Sequence, residues 1–250
     1  MKGLILAGGK GTRLTPLTEF TNKHLLPVGR EPMIWHPVRK LIEAGITEIL
    51  IITSNDHSSD LIKTLGSGKR FGCDFTYRIQ EEAGGIADAL ALGENFTQGN
   101  KIIVMLGDNI FEYPITSYVQ AFQKQKAGAR IILKEVDNPE RFGVAVFNGK
   151  QIISIEEKPV QPRSNFAVTG CYMYDEQVFD LIRLITPSAR GEMEITDVNN
   201  LYIKQGQIQY DYLFGNWIDA GTFESLNEAN NLMLVNYKNL EINKITSEQR

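Results

Sequence analysis

Two runs in the first half of the chain, EILIITS (48–54) and KIIVMLG (101–107), are apolar at nearly every position. A strand with one solvated face alternates apolar and polar residues, whereas an unbroken apolar run fits a strand covered on both faces. Cover on both faces is typical of a parallel sheet packed between helices. These runs therefore favour an α/β fold.

The neighbouring segments predict the same class. Further β-rich runs lie at 2–6 and 74–80, and amphipathic segments that predict helices lie around 33–44, 57–66, 85–93 and 114–127. Gly45 fits the stop of the first helix. The alternating order implies right-handed crossovers and predicts a doubly wound, mostly parallel, Rossmann-like sheet flanked by helices.

The second half has a different pattern. Asn148-Gly149 separates two β-rich runs, which is a strong hairpin signal and predicts an antiparallel insertion into the sheet. Further predicted elements are a strand at 166–174, a helix beginning near Asp175, a helix at 194–205, a strand at 207–213 and a last helix from 222. Because no repeat or linker interrupts the pattern, we expect one domain over 1–250, with a polar tail at 236–250 that frays.

Composition excludes several classes. The net charge is -4 and the basic residues are dispersed, which argues against nucleic-acid binding. No run approaches about 18 apolar residues and the N-terminus lacks a secretory hydrophobic region, so we expect a cytoplasmic protein without membrane contact. Cys73 and Cys171 have no paired spacing or nearby histidines, which argues against a zinc site.

A glycine-rich loop, LAGGKGTR, follows the first strand at its carboxyl end, where ligands bind in open α/β sheets. Its glycines would let backbone N–H groups approach an anion, and Arg13 adds a forked cation. The loop matches neither the G-x-x-x-x-G-K-[ST] phosphate loop nor the G-x-G-x-x-G dinucleotide fingerprint, in which Leu14 would have to be glycine. It either binds phosphate by another scheme or simply reverses the chain.

Several charged residues are candidates for the same crevice. Asp108 and Asp219 each follow an apolar run and suit a two-carboxylate Mg²⁺ site, although either alone also fits a turn. Lys23 lies near the loop and could reach a phosphate or remain solvated. Glu157 and Lys158 could bind a sugar hydroxyl and a phosphate, or form an exposed strand end. For Glu194, a helix-capping role fits better than a site role.

Seven motifs in one order resemble those of the sugar-1-phosphate nucleotidylyltransferases: LAGGKGTRLTPLT, NKHLLPV, LGDNIF, EEKP, VTGCYMYD, ARGEMEITDVN and WIDAGT. The resemblance covers about residues 1–230 and is closest to the members that transfer thymidylyl groups. It implies a Mg²⁺-assisted reaction of dTTP with glucose 1-phosphate that gives dTDP-glucose and pyrophosphate. It also implies a homo-oligomer, a tetramer or dimer.

The resemblance further implies a nucleotide-binding half at about 1–110 and a sugar-binding half with a lid at about 111–235. The implied nucleotide contacts are Leu6, Gly8, Gly9, Gly11, Thr12, Gln80 and Gly85. The implied sugar contacts are Gly143, Glu157 and Val168. Arg13, Lys23 and Lys158 would act on phosphates during catalysis, and Asp108 and Asp219 would bind Mg²⁺.

Alternative functions remain at this stage. His24 stands where relatives carry glutamine, and the turn after Gln80 also departs from the family pattern, so the choice between dTTP and UTP stays open. Uridylyl or cytidylyl transfer to a hexose 1-phosphate is one alternative, and a non-catalytic nucleotide-sugar-binding protein is another. The presence of Arg13, Asp108 and Lys158 argues against the latter, and the failed fingerprint argues against a dinucleotide-dependent oxidoreductase.

Overall fold

A computed structural model describes the backbone of residues 1–248 and the side chains of residues 1–236. The strands are β1 (Lys2–Ala7), β2 (Pro27–Val28), β3 (Glu31–Pro32), β4 (Glu48–Ser54), β5 (Asp74–Gln80), β6 (Ile102–Leu106), β7 (Asn109–Phe111), β8 (Ala129–Glu135), β9 (Gly143–Asn148), β10 (Gln151–Glu157), β11 (Phe166–Tyr174), β12 (Ile208–Tyr212) and β13 (Trp217–Asp219). The helices are α1 (Trp35–Glu43), α2 (Ser58–Leu65), α3 (Ile86–Ala91), α4 (Glu94–Thr97), α5 (Thr116–Lys124), α6 (Val178–Ile182), α7 (Ile195–Lys204) and α8 (Phe223–Glu248). The backbone of the predicted polar tail is helical as far as Glu248, and its side chains from residue 237 lie outside the described part, so the fraying stays a prediction.

Four parallel strands, in the order β6-β1-β4-β5, form one half of the main sheet. Successive residues of β1 alternate between two apolar cores, with Leu4 in one and Ile5 in the other, both fully buried. Helices α1, α2 and α5 supply one core, while α3, α6 and α7 supply the other. The prediction of a sheet covered on both faces is therefore confirmed.

The second half extends this sheet with antiparallel strands. The long strand β11 pairs antiparallel with both β6 and β8, and β8 pairs parallel with β12. The predicted hairpin is confirmed as β9 and β10, which pair antiparallel across the Asn148-Gly149 turn. Strand β8 was missing from the sequence prediction, although its apolar residues link β11 to β12. No helix in the described part is both long and apolar enough to span a membrane.

The helix predicted from Asp175 begins only at Val178, because Asp175 has a different role. Its side chain is buried and accepts hydrogen bonds from the Tyr202 hydroxyl at 2.8 Å and from the Gln177 amide at 3.2 Å. It also accepts a hydrogen bond from the Gly128 amide. Asp175 thus ties the end of β11 to α7 and to the turn before β8.

Replacing this residue tests its structural role. Asp175→Ala leaves a buried hydroxyl and a buried amide without an acceptor, so we expect the free energy of unfolding to fall by about 2–4 kcal/mol. Urea denaturation measures the change. As a control, Asp180→Ala removes a carboxylate that is 82% exposed and should change stability by less than about 0.5 kcal/mol. Equal effects of the two substitutions would contradict the role assigned to Asp175.

Candidate active site

A cleft of about 320 Å³ opens where the parallel strands β1, β5 and β6 end. Ligands bind at this edge of open α/β sheets because the loops there diverge. The sequence-predicted residues that line the cleft are Leu6, Gly8, Gly9, Arg13, Lys23, Gln80, Gly85, Asp108 and Asp219. The fold therefore brings together side chains that are more than 200 positions apart.

The glycine loop shapes one wall of this cleft. Gly9 and Gly11 have positive φ angles of 95° and 62°, and residues with a Cβ rarely adopt such angles. Gly11 and Thr12 were predicted to line the nucleotide site, but the cleft lining found in the described residues does not include them. Gly11 is the N-cap residue of the 3₁₀ turn Thr12–Leu14, and Thr12 is the first residue of that turn. The Thr18 hydroxyl donates a hydrogen bond to the Gly11 carbonyl at 3.0 Å. This turn presents the exposed Arg13 at the mouth of the cleft.

Lys23 and Asp108 form an ion pair on the cleft wall. The Lys23 Nζ lies 2.5 Å from Asp108 Oδ2, and both side chains are nearly buried. Asn109 donates to the other Asp108 oxygen at 3.0 Å. Burial raises the pKa of the Asp108 carboxyl, but the positive charge of Lys23 outweighs burial and holds that pKa well below its usual range. Asp108 is therefore ionised.

A short antiparallel ladder explains why Asp108 and Asp219 meet. Strand β7 pairs with β13, which places Asn109 opposite Asp219. The Ala220 amide donates to the Asp108 carbonyl at 2.9 Å and continues the ladder by one step. The Trp217 indole N–H donates to the Asn109 side chain at 2.6 Å and fixes the register. Neither β7 nor β13 was predicted from the sequence.

Asp219 lines the same cleft as Asp108 and has an unsatisfied side-chain oxygen. Its Oδ1 atom is buried and has no hydrogen-bond partner within the described part of the chain. Burial, followed by the negative charge of Asp108, raises the pKa of Asp219 to about 6. Two carboxylates in one cleft, one of them with an orphaned oxygen, fit a divalent cation, which would bind that oxygen and offset the repulsion between the two charges.

His24 lies beneath the Lys23–Asp108 pair. Its Nδ1 is 2.8 Å from the Asn22 side-chain oxygen, and a Cβ at Gly107 would lie 2.7 Å from its ring. Burial, then the charge of Lys23, lowers the pKa of His24 to about 3. His24 is therefore a neutral packing residue of the cleft wall, which the sequence alone left unassigned.

Gln80 and Gly85 form the far end of the cleft. Gly85 has a φ of 96°, and a Cβ there would lie 2.7 Å from the Met193 carbonyl oxygen, so the position requires glycine. The Gln80 Nε2 donates to the Gly85 carbonyl at 3.2 Å and to Asp88 Oδ2 at 2.6 Å. The sequence analysis did not single out Asp88, because an acid in the first turn of a helix is common.

A second cavity of about 120 Å³ adjoins the first, and Asp219 lines both. The predicted sugar-side residues Gly143, Glu157, Lys158 and Val168 all line it. The Thr196 hydroxyl donates to Glu157 at 2.5 Å, and Lys158 Nζ lies 3.5 Å from the same carboxylate. Lys158 has a φ of 44°, a left-handed backbone that costs about 1 kcal/mol or more and occurs often at functional sites.

Arg190 is a further residue of this cavity that sequence reasoning missed. Its guanidinium donates to both oxygens of Glu194 at 2.8 Å and to Glu157 at 3.3 Å. Glu194 was expected to cap α7, yet its side chain forms no cap hydrogen bond and binds Arg190 and Ser188 instead. Glu194 is nevertheless the N-cap residue of α7, where its negative charge suits the helix dipole as expected. The signal that could have found Arg190 is its place in ARGEMEITDVN, where it directly precedes a run that contains three acids.

Comparisons with known proteins agree with this geometry. The family model described as nucleotidyl transferase matches residues 2–236. The chain is 42% identical to a glucose-1-phosphate thymidylyltransferase from Neisseria meningitidis, over 97% of this chain and 86% of the relative.

Solved structures agree as well. A Bacillus anthracis protein provisionally named glucose-1-phosphate thymidylyltransferase, in complex with a sucrose, is 56% identical with a TM-score of 0.90, over 94% of this chain and 95% of that one. A UDP-glucose pyrophosphorylase complexed with UDP-glucose is 26% identical with a TM-score of 0.83, over 95% and 98% of the two chains. The resemblance carried by the seven sequence motifs is confirmed, and the chain belongs to the nucleotidyl transferase family.

Proposed function

We propose that this enzyme transfers the thymidylyl group of dTTP to α-D-glucose 1-phosphate, giving dTDP-glucose and pyrophosphate. The observation that carries the proposal is the pair of adjoining cavities that share Asp219. One cavity has Arg13 and Lys23 beside a glycine loop, as a triphosphate requires, and the other has Lys158 beside polar groups that suit a sugar phosphate. The thymidylyltransferase relatives support the same reaction.

The two cavities indicate that different parts of one domain bind the nucleotide and the sugar phosphate. Residues of about 1–110 supply most of the nucleotide side, and residues of about 111–235 supply the sugar side and its hairpin. We infer that the chain works as a single catalytic unit with these two halves. A cytoplasmic location and a dimeric or tetrameric assembly stay predictions, and sedimentation of the purified protein checks the latter.

The reaction is a single in-line displacement. An oxygen of the sugar phosphate attacks the α-phosphorus of dTTP, the bond from that phosphorus to the bridging oxygen breaks, and pyrophosphate leaves with the electron pair. The attacking phosphate is already anionic, so the site needs no general base. Its task is to bring two polyanions together and to stabilise charge on the leaving group.

The cations of this chain divide that task. Lys158 holds the phosphate of the incoming sugar, and Lys23, oriented by Asp108, neutralises the triphosphate near the reacting atom. Arg13 at the cleft mouth binds the β- and γ-phosphates that leave. Asp108 and Asp219 would hold Mg²⁺, and bound Mg²⁺ would supply further stabilisation of phosphate charge.

Removing the sugar-side cation tests its assignment. We expect Lys158→Ala to raise the KM for glucose 1-phosphate by about tenfold or more, because a charge-assisted contact is worth about 1.5–3 kcal/mol. The KM for dTTP should change little. Lys150→Ala, at the opposite end of the same hairpin, is the control and should leave both constants near wild type. Equal increases in both KM values for Lys158→Ala would contradict a sugar-side role.

A substrate panel tests the reaction itself. Pyrophosphate release is measured with Mg²⁺, each of dTTP, UTP and dCTP, and each of several sugar 1-phosphates. We expect the highest kcat/KM with dTTP and glucose 1-phosphate. Uridylyl transfer is the second candidate, favoured by the structural similarity to UDP-glucose pyrophosphorylase, and a higher kcat/KM with UTP would establish it. No pyrophosphate release from any pair would refute nucleotidyl transfer.

A further inference from the structure

The Asp88 carboxylate makes an unusual contact for an acid in the first turn of a helix. It is the third residue of α3, a place from which a carboxylate often reaches back to the N-cap amide. Among the hydrogen bonds of the described residues, however, its carboxylate accepts only from the Gln80 side chain, at 2.6 Å. The side chain also packs closely on Gly84, where a Cβ would lie 2.5 Å from Asp88 Oδ2. Asp88 is thus directed toward Gln80.

The partners of Gln80 determine which way its amide faces. The Asp88 carboxylate and the Gly85 carbonyl both accept hydrogen bonds, so the Gln80 atom between them is the NH₂ group. The Gln80 carbonyl oxygen therefore points the other way, toward the glycine loop, where a Cβ on Gly8 would lie 3.1 Å from it. Since Gln80 is 9% exposed and lines the cleft, this oxygen is the polar group that it offers to a ligand.

The direction of this amide has a consequence for base recognition. Thymine and uracil carry an N3–H donor, whereas the cytosine N3 is an acceptor with an amino group beside it. A fixed acceptor from Gln80 pairs with N3–H and repels the cytosine N3. A site that leaves a buried polar group unpaired against the wrong ligand discriminates strongly.

We propose that Asp88 is a positioning residue that fixes the Gln80 amide, so that the base site takes pyrimidines with an N3–H and rejects cytosine. The inference rests on the proposed function for the identity of the cleft as a nucleotide site. It assigns no preference between thymine and uracil, because both present the same N3–H. Other groups of the cleft must then discriminate between thymine and uracil.

The test is equilibrium binding of dTTP and dCTP to wild type and to Asp88→Asn, measured by calorimetry in the presence of Mg²⁺. An asparagine can either accept from or donate to the Gln80 amide, so position 88 no longer selects one orientation and only the Gly85 carbonyl opposes the flipped form. The flipped amide offers its NH₂ group to the cytosine N3. We expect the ratio of the two Kd values to move toward cytosine by about tenfold, the range for one charge-assisted hydrogen bond. Asp60→Asn, which changes a first-turn aspartate of α2, is the matched control and should leave the ratio unchanged.

A double substitution separates positioning from stability. In a Gln80→Ala background, Asp88→Asn should no longer alter the Kd ratio, because the group that it positions is gone. If Asp88 only stabilises α3, Asp88→Asn weakens both nucleotides equally, and the inference is overturned. A wild type that binds dCTP as tightly as dTTP also overturns it. Since these readouts need no turnover, a failure of the proposed reaction is seen separately, as absent pyrophosphate release with wild type.

Discussion

Arg13→Ala is expected to lower the turnover of dTTP and glucose 1-phosphate by about 10²-fold or more, the range for loss of a preformed charge stabiliser. The exposed arginine lies at the cleft mouth, where its positive charge also acts on Asp219. It forms no direct ion pair within the described residues, so its guanidinium can bind a ligand. In the proposed reaction that ligand is the leaving pyrophosphate, whose charge grows in the transition state. Single-turnover pyrophosphate release with saturating substrates measures the effect.

Lys10→Ala is the matched control for this prediction. Lys10 is an exposed cation of the same glycine loop, yet it does not line the cleft of the described residues. Its removal should change turnover by less than about threefold, since a solvated surface charge contributes little. If Lys10→Ala reduced turnover as much as Arg13→Ala, the loop would act through its general charge and the specific role of Arg13 would be wrong.

Asp219→Asn is expected to lower turnover strongly and yet stabilise the metal-free fold. Turnover should fall by about 10²-fold or more through loss of a metal ligand. The pKa of Asp219 in the folded protein, about 6, lies above the unfolded value, so the ionised form destabilises the fold at higher pH. This penalty is fully present above pH 6 and declines as the pH falls through 6. In EDTA, the substitution should therefore raise the free energy of unfolding by about 1–3 kcal/mol at pH 8 and by less at pH 4.5.

Asp108→Asn provides the contrasting result. This carboxylate is paired with a nearly buried Lys23, so the substitution leaves an ammonium group without its counterion. Breaking such a buried pair costs about 3–5 kcal/mol, and turnover should fall as well. Denaturation in EDTA at pH 8 should then order the stabilities as Asp219→Asn above wild type above Asp108→Asn. A loss of stability in both variants would contradict the electrostatic roles assigned to the two aspartates.

Local patterns were sufficient for much of the fold. The continuous apolar runs of β4 and β6 predicted their burial on both faces, and the boundaries of β5 and of the hairpin turn at Gly149 followed from the sequence. Strand β8 was missed although its run ARIILKE has the local apolar signal of a buried strand, and only its pairing with β11 and β12 needed the tertiary structure. The short ladder of β7 and β13 was missed for a different reason, because three-residue strands have too few residues to show a periodicity.

The same distinction between local sequence and tertiary structure applies to the candidate active site. Residue types and motif order in the sequence determined the family, the candidate cations and the two aspartates, because these features are local. Only the tertiary structure decided that Lys23 pairs with Asp108, that Asp219 keeps an unpaired oxygen and that Asp88 orients Gln80. Charge states and amide orientations depend on which groups meet after folding and on how far water is excluded, and neither quantity is encoded in any short stretch of sequence.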